Sequence, residues 1–244
     1  MTVVCKLGGS VITDKDTRDA VDDVAIEQVV SALEAASGPL VLVHGGGSVG
    51  HPRAASHGVD TQQGLTDPDG LLEIHTAMVD LCERFTAACQ ASVPAVPVHP
   101  LSMAWRDGST VECAVQPVET LLEAGFVPVL HGDLVATPGR GVTVASGDEL
   151  VVALARGLEA DRVGLCSDVP GVLDADGAVV DRIADRETAR SLGAASEATD
   201  VTGGMLAKVE TLLSLESQAS IFGLGDLETF LEGGQPGTTV DGSP

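Results

Sequence analysis

Short apolar runs alternate along the chain with longer segments in which apolar residues recur at helical spacing. The short runs predict buried strands, and the longer segments predict amphipathic helices. The predicted strands, in chain order, are residues 3–7, 40–43, 127–130, 162–166, 220–223 and 238–240. Strands that alternate with helices form mainly parallel sheets covered on both faces. The pattern therefore predicts an α/β fold, a three-layer αβα sandwich with a mainly parallel central sheet.

The predicted helices separate these strands. The longest covers residues 71–91 and places Ile74, Met78, Leu81 and Phe85 on one face. The other predicted helices are residues 22–37, 146–158 and 203–217. The chain shows no repeat and no low-complexity linker, so one domain is expected over residues 1–244. Its two halves, residues 1–145 and 146–244, are expected to join near residues 140–150.

The charge of the chain is extreme. Asp and Glu number 36 against 13 Lys and Arg, which gives a formal net charge of −23. Such a surface repels nucleic-acid phosphates and anionic membranes, so we expect neither as a partner. Dense carboxylates are typical of a halophile's cytosol, an interpretation we favour over an acidic partner-binding surface. Only three lysines stand beside ten arginines, which singles out Lys6, Lys15 and Lys208 for attention.

Cysteine usage and the N-terminus indicate a cytoplasmic protein. Five cysteines occur without a C-x-x-C pair, and this odd number in apolar surroundings predicts buried, reduced thiols. No stretch approaches the roughly 20 apolar residues of a membrane helix. The segment from Met1 to Leu7 is short and runs into a glycine pair, so it is interpreted as a strand and not as a signal peptide.

One glycine-rich segment, residues 45–51 (GGGSVGH), matches three motifs. As a dinucleotide fingerprint it would have to follow the first strand and precede an acidic residue at the end of the next one, and it does neither. As a nucleophile elbow it would need Ser48 and an oxyanion loop on separate segments, as well as a late histidine, whereas the last histidine is His131. A structural turn would need neither the glycines nor His51. The segment is best interpreted as a phosphate loop, whose bare backbone N–H groups approach an anion closely.

Glycine-rich turns accompany the lysines elsewhere. Lys6 begins the sequence KLGGS at the end of the first strand, and Lys15 follows nine residues later. Lys208 lies one turn into the helix that opens at Gly203 and Gly204. A helix start of this kind offers unpaired N–H groups and the positive end of the helix dipole. The lysines and glycine turns together predict a site for several phosphates in line.

Taken in order, these motifs resemble the amino acid kinase superfamily. The resemblance rests on residues 6–10 (KLGGS), 45–47 (GGG), 146–148 (SGD), 167–172 (SDVPGV), 203–208 (GGMLAK) and 236–240 (PGTTV). It spans nearly the whole chain and implies the fold of that superfamily, ATP as phosphate donor with Mg²⁺, and a homodimer. Residues 1–145 would then bind the acceptor and residues 146–244 the nucleotide.

Within the superfamily, residues 45–51, Lys15 and residues 200–205 (DVTGGM) resemble the archaeal isopentenyl phosphate kinases. That resemblance implies a role in isoprenoid biosynthesis, with isopentenyl phosphate as acceptor and isopentenyl diphosphate as product. The chain departs from the family at Val49, where an aromatic residue is usual. Fosfomycin kinases share the histidine-bearing loop, so a fosfomycin-type or other small-molecule kinase of the same superfamily remains the alternative.

The resemblance also implies roles for individual residues. The ATP-binding residues would be Lys6, Leu7, Gly8, Gly9, Ser10, Gly47, Asp168, Gly204 and Lys208. The acceptor-binding residues would be Gly46, Gly50, His51 and Gly147, and the catalytic set would be Lys6, Lys15, His51 and Asp148. In this scheme Lys15 stabilises the transferred phosphoryl group, Asp148 holds the lysines, and His51 donates to the acceptor as an imidazolium. No protein ligand is assigned to Mg²⁺, and Ala77, Met78 and Leu81 are candidates for the tail slot or for ordinary core.

Overall fold

The computed structural model of the protein describes residues 1–195, 203–215 and 217–242. The strands are β1 Val3–Leu7, β2 Leu40–His44, β3 Ala95–Pro97, β4 Ala104–Asp107, β5 Thr110–Cys113, β6 Val127–His131, β7 Asp133–Thr137, β8 Gly141–Ala145, β9 Arg162–Ser167, β10 Arg182–Ile183, β11 Gln218–Gly223 and β12 Thr238–Val240. The helices are α1 Gly9–Ile12, α2 Asp23–Leu33, α3 Gly47–Ser56, α4 Pro68–Cys89, α5 Gln116–Glu123, α6 Gly147–Gly157, α7 Arg186–Ala195, α8 Gly203–Leu212 and α9 Leu227–Leu231. Each strand predicted from the sequence occurs within a residue or two of its expected bounds.

The main sheet has eight strands in the order β10-β12-β11-β9-β1-β2-β6-β3. Its neighbouring pairs are parallel except β11 with β12. Because side chains alternate across a strand, consecutive residues of β1 enter two different cores: Val4 packs with α6 and α8, and Cys5 with α2 and α4. The predicted three-layer α/β architecture with a mainly parallel sheet is therefore confirmed.

A second sheet of four strands, in the order β5-β4-β7-β8, covers part of one face, and the sequence did not predict it. One reason is Arg106, a buried residue in β4 that interrupts the expected apolar alternation. Its guanidinium donates to Glu149 (2.8 Å), the Thr143 hydroxyl (3.0 Å) and the Val144 carbonyl (2.7 Å), so the buried charge is fully engaged. In the sequence, such a residue is indistinguishable from an exposed one.

Two predicted helices end earlier than expected. Helix α2 starts after Asp22, whose carboxylate accepts from the Ala25 N–H. The helix ends at Leu33, and the chain turns away at Gly38, which has a left-handed φ of 108°. Helix α8 ends at Leu212, and the hydroxyl of Ser214 donates to the Thr211 carbonyl. Residues 200–202, part of the motif DVTGGM, lie outside the described residues.

All five cysteines are free thiols; four are buried and Cys113 is half-buried. Among the described residues, no helix combines the length and the apolar character needed to cross a bilayer.

Candidate active site

The carboxyl ends of four parallel strands lie side by side in the main sheet. Leu7, the last residue of β1, lies beside His44 of β2 and Cys166 of β9, and His44 lies beside His131 of β6. In open α/β sheets, ligands bind outside this edge. The glycine-rich segments that follow β1 and β2 are thereby brought to one place, although about 37 residues separate them in the chain.

Backbone hydrogen bonds join these segments. The Gly8 N–H donates to the Cys166 carbonyl (2.9 Å), and the Gly45 N–H donates to the Leu7 carbonyl (3.0 Å). The Gly132 N–H donates to the carbonyl of His44 (2.9 Å). The loops after β1, β2 and β6 are therefore held to the strand ends as one rigid unit.

Glycine is required where the first two loops touch. A Cβ atom on Gly9 would lie 2.2 Å from the Gly47 nitrogen, and one on Gly45 would lie 2.6 Å from the Gly9 nitrogen. Gly47 also has a left-handed φ of 48°. Substituents at these positions would collide with backbone, so the glycines serve the close approach of two chain segments as well as any ligand.

Thr13 links the same two loops, and the sequence analysis missed it. Its buried hydroxyl donates to the Gly9 carbonyl (2.8 Å) and accepts from the Ser48 N–H (3.1 Å). The hydroxyl thus bridges the loop after β1 to the start of α3. No local motif reveals this role, because the partner Ser48 is 35 residues away.

A cavity of about 480 Å³ opens at these loops. Its lining residues are Lys6, Gly8, Gly9, Ser10, Thr13, Lys15, Gly45, Gly46, Gly47, Ser48, Gly50, His51, Pro52, Ala54, Ile74, Met78, Gly132, Asp133, Leu134, Val144, Ala145, Ser146, Gly147, Asp148 and Lys208. The starts of α3 and α6 lie in this wall, at Gly47 and Gly147, so the positive ends of two helix dipoles face it. The structure brings together most of the residues predicted for the site.

The three lysines all line the cavity. Lys6 is buried, and its Nζ lies 2.9 Å from Asp148 Oδ1. Its aliphatic stem runs past Gly147, where a Cβ atom would lie 2.9 Å from Lys6 Cε. Lys15 forms an ion pair with Asp168. Lys208 reaches the cavity from α8, in the opposite half of the chain.

Leu7 and Asp168, both predicted to bind ATP, lie apart from the cavity wall. The side chain of Leu7 is fully buried in the core and its carbonyl is occupied by Gly45. Asp168 borders a neighbouring groove and contacts Lys15 instead. Partial burial opposes ionisation of Asp168, but hydrogen bonds from Lys15 and Ser167 outweigh it and lower the pKa. Gly204 lies in the first turn of α8.

His51 lies in α3, one turn after Gly47, and its side chain lines the cavity. Burial of the ring and, to a smaller extent, the charge of Lys6 lower the pKa of His51. Both effects disfavour, in the protein without a ligand, the imidazolium expected from the sequence. A neutral imidazole still donates one N–H, and a bound dianion would favour its protonation.

Part of the cavity wall is apolar. Its residues are Ala54, Ile74, Met78, Leu134 and Val144, on α3, α4 and the second sheet. Of the three residues suggested for the tail slot, Met78 is part of this wall. Ala77 and Leu81 border a different groove. Leu134 and Val144 were not foreseen, because the second sheet that carries them was not predicted.

Asp133 is a buried carboxylate in the cavity wall. It accepts from the Leu134 N–H (2.8 Å) and is 2.8 Å from His75 Nδ1. Burial raises its pKa to about 6, against the lowering effect of His75. The lining carboxylates Asp133 and Asp148 are thus each paired with a neighbouring basic side chain.

Comparisons with known proteins agree with this arrangement. A profile of the amino acid kinase family matches residues 1–221. An isopentenyl phosphate kinase from Haloferax volcanii is 50% identical over 246 residues, covering 98% of each chain. One from Methanocaldococcus jannaschii is 30% identical over 99% of each chain.

Solved structures give the same result. An X-ray structure of an isopentenyl phosphate kinase superposes with a TM-score of 0.83 at 27% identity, covering 98% of this chain and all of that one. The product complex of the Thermoplasma acidophilum enzyme superposes with a TM-score of 0.76 at 23% identity, a likeness of fold. On the family profile, the full-length identities and the shared fold, this chain belongs to the isopentenyl phosphate kinases of the amino acid kinase family.

Proposed function

We propose that the protein transfers the γ-phosphoryl group of ATP to isopentenyl phosphate, which yields isopentenyl diphosphate and ADP. One observation carries the proposal: a single cavity is lined by glycines and lysines, by an apolar set of side chains, and by His51. The glycines and lysines suit several phosphates, and the apolar set suits a short hydrocarbon. The named activity of full-length relatives supports the same assignment.

The glycines and lysines of the cavity wall would hold the ATP phosphates. The N–H groups of Gly9 and Gly47 and the hydroxyl of Ser10 would donate to phosphate oxygens, and Lys6 and Lys208 would neutralise the β and γ groups. The Gly8 N–H already donates to the Cys166 carbonyl, so Gly8 contributes its bare backbone to the wall and no donor. The glycine cradle fits this use, because its backbone is free of side chains at the points of closest approach. Asp148 would keep Lys6 in place through their ion pair.

The acceptor phosphate would lie beside His51. The ring N–H, with the backbone N–H groups of Gly46 and Gly147, would provide donors for a phosphate monoester, which offers only oxygens. The Gly50 N–H already donates to the Gly46 carbonyl (2.9 Å), so Gly50 only lines the wall. The hydrocarbon would extend toward Met78 and its apolar neighbours. The phosphate and the tail would thus be recognised by different walls of one cavity.

The chemical step is an in-line displacement. An oxygen of the acceptor phosphate forms a bond to the γ-phosphorus of ATP, and the bond from that phosphorus to the bridging oxygen of ADP breaks. A phosphate monoester is largely ionised at neutral pH, so no general base is needed. Lys15 would stabilise the charge on the transferred group. Positioning two anions against each other is the main task of the site.

Mg²⁺ would be held chiefly by the ATP phosphates and water. The carboxylates in the cavity wall are engaged with His75 and Lys6, and Mg²⁺ commonly keeps several waters when it binds with nucleotides. When bound, the ion neutralises charge on the β and γ groups.

The two halves of the chain would divide the work. His51 and the apolar wall come from residues 1–145, whereas Asp148 and Lys208 come from residues 146–244. Acceptor binding by the first half and nucleotide binding by the second is consistent with this division. Lys6 and its glycine turn belong to the first half but would contact the nucleotide, so the division of roles between the two halves is not strict.

We further propose a homodimer in the cytoplasm, as the family resemblance implies. Free, mostly buried thiols fit a reducing compartment. Light scattering after size-exclusion chromatography would measure the mass in solution against the chain mass of 24.7 kDa. A monomeric mass at working concentration would contradict the dimer.

A coupled ADP-release assay tests the activity. We expect ATP-dependent turnover with isopentenyl phosphate, and little with isopentenol, which lacks the phosphate, or with inorganic phosphate, which lacks the tail. Fosfomycin serves as the competing acceptor. Turnover with fosfomycin and none with isopentenyl phosphate would overturn the proposal in favour of a resistance-type kinase on the same scaffold.

A further inference from the structure

Three side chains with soft or borderline metal-ligand atoms lie close together outside the cavity wall. They are Cys82 of α4, His99 of the segment before β4, and His131 at the end of β6. Their sulfur and imidazole nitrogen atoms all lie within 4.8 Å of one another. We infer that these three residues bind one transition-metal ion of the zinc class, at a site separate from the kinase cavity.

The separations suit a tetrahedral ion. Zinc holds nitrogen at about 2.0–2.1 Å and sulfur at about 2.3 Å, which places neighbouring ligand atoms roughly 3.3–3.7 Å apart. His99 Nδ1 and His131 Nε2 are 3.0 Å apart, slightly closer than that, and no separation in the cluster exceeds 4.8 Å. Small rotations of the three side chains are the change that binding requires.

The hydrogen bonding around His131 prepares its ring for a metal. Its Nδ1 lies 3.1 Å from the Gly132 carbonyl oxygen, which accepts a hydrogen bond from the Nδ1–H. The Nε2 lone pair is then directed at His99, whose Nδ1–H donates to it in the metal-free protein. At metal sites, the ring nitrogen of a ligand histidine that does not bind the metal usually donates to a backbone carbonyl, a carboxylate or water. On metal binding, the proton on His99 Nδ1 would move to Nε2 of the same ring, and the Cys82 thiol would release its proton to solvent.

An ion can reach this cluster. Cys82 and His131 are buried, but His99 is half-buried, and its ring lies edge-on to the half-buried His75 at 6.3 Å. Three protein ligands with a water in the fourth position would complete a four-coordinate site. A donor set of two imidazoles and one thiolate favours Zn²⁺ or Co²⁺ and disfavours Mg²⁺, which prefers oxygen. The site is therefore distinct from the Mg²⁺ that accompanies ATP.

A bound ion would connect two elements that form the cavity. Cys82 lies one helical turn after Met78, and His131 directly precedes Gly132 and Asp133. Met78, Gly132 and Asp133 line the cavity. The metal would link α4 to the end of β6. The proposal does not depend on which acceptor the kinase uses.

Cobalt titration of the metal-free, reduced full-length chain tests the site. We expect one Co²⁺ per chain, with a thiolate-to-cobalt charge-transfer band and visible d–d bands, both lost on adding Zn²⁺. Cys82→Ser should abolish the charge-transfer band, and His99→Gln should weaken binding about 10-fold or more. Cys89→Ser is the matched control, since Cys89 is a buried free thiol on the same helix outside the cluster, and it should bind as wild type.

Thermal unfolding provides a second readout. Excess Zn²⁺ should raise the Tm of the wild type and of Cys89→Ser, and should raise that of His99→Gln less. His99 is half-buried, so its variant keeps the test valid if Cys82→Ser fails to fold. Absence of the charge-transfer band in the wild type, or an equal band in a folded Cys82→Ser variant, would overturn the site.

Discussion

Lys6 and Lys15 occupy very different surroundings within one cavity. Lys6 is buried and pairs with Asp148, a partner that offsets the cost of removing an ammonium from water. Lys15 keeps about half of its side-chain surface exposed (54%) and pairs with Asp168. A buried, fixed cation suits a group that holds substrate, whereas an exposed one can swing toward a transferred group. Their environments therefore agree with the different roles proposed for them.

Removing the Lys15 ammonium should abolish most turnover without unfolding the protein. Loss of one charge-stabilising donor typically lowers kcat by 100-fold or more, so we expect that for Lys15→Ala. ATP affinity, measured calorimetrically, should change much less. Arg84→Ala is the control, because Arg84 forms an exposed ion pair with Asp23 away from the cavity. Full activity in Lys15→Ala would refute the transition-state role.

His51→Ala should separate acceptor binding from nucleotide binding. We expect the KM for isopentenyl phosphate to rise at least about 10-fold, the cost of one hydrogen bond to a charged group, while the KM for ATP stays within about 2-fold. His51→Gln should recover part of the loss, because its amide N–H can donate. His57→Ala is the control: that histidine follows the same helix and pairs with Glu73. An unchanged acceptor KM in His51→Ala would rule out the acceptor role.

At the scale of elements, the site depends on how closely the loops after β1 and β2 approach. Hydrogen bonds tie each loop to a strand end, and the Thr13 hydroxyl joins one loop to the other. The capping box of Ser146 and Glu149 fixes the start of α6 on the opposite wall, and Glu149 also binds Arg106 of the second sheet. Rigid elements of this kind position donors without loss of entropy on binding.

Gly9→Ala should disrupt this joint. The added methyl group would lie 2.2 Å from the Gly47 nitrogen and 2.6 Å from its Cα, so the backbones must separate. Since a displacement of about 1 Å can cost 100-fold in rate, we expect kcat/KM to fall by about that much. Gly225→Ala is the control, because its Cβ would meet nothing within 4 Å. Wild-type kcat/KM in Gly9→Ala would show that the close approach is unnecessary.

At the scale of the whole molecule, the net charge of −23 acts on stability as much as on partners. Carboxylates crowded on the surface of a folded protein repel each other, and salt screens that repulsion. The Debye length falls from about 10 Å at 0.1 M to about 3 Å at 1 M ionic strength. The protein is therefore expected to be most stable in concentrated salt.

Thermal unfolding in potassium chloride tests this expectation. The Tm should fall as salt is lowered from about 2 M to 0.1 M, because the screening of surface repulsion is lost. Replacing the exposed acids Asp69, Glu112 and Glu123 with their amides should make the salt dependence shallower at unchanged side-chain size. A Tm independent of salt, or an unchanged slope in the amide variant, would contradict the interpretation.

The amino-acid sequence determined the local elements, the parallel sheet, the glycine turns and the three lysines, because these follow from periodicity, residue type and short spacing. The tertiary structure alone decided what depends on contacts between distant segments. It joined Thr13 to Ser48 and placed Leu134 and Val144 in the apolar wall. It buried Arg106 and kept Leu7 in the core. Which neighbours a side chain meets across the sheet is a property of the folded chain, and no local pattern encodes it.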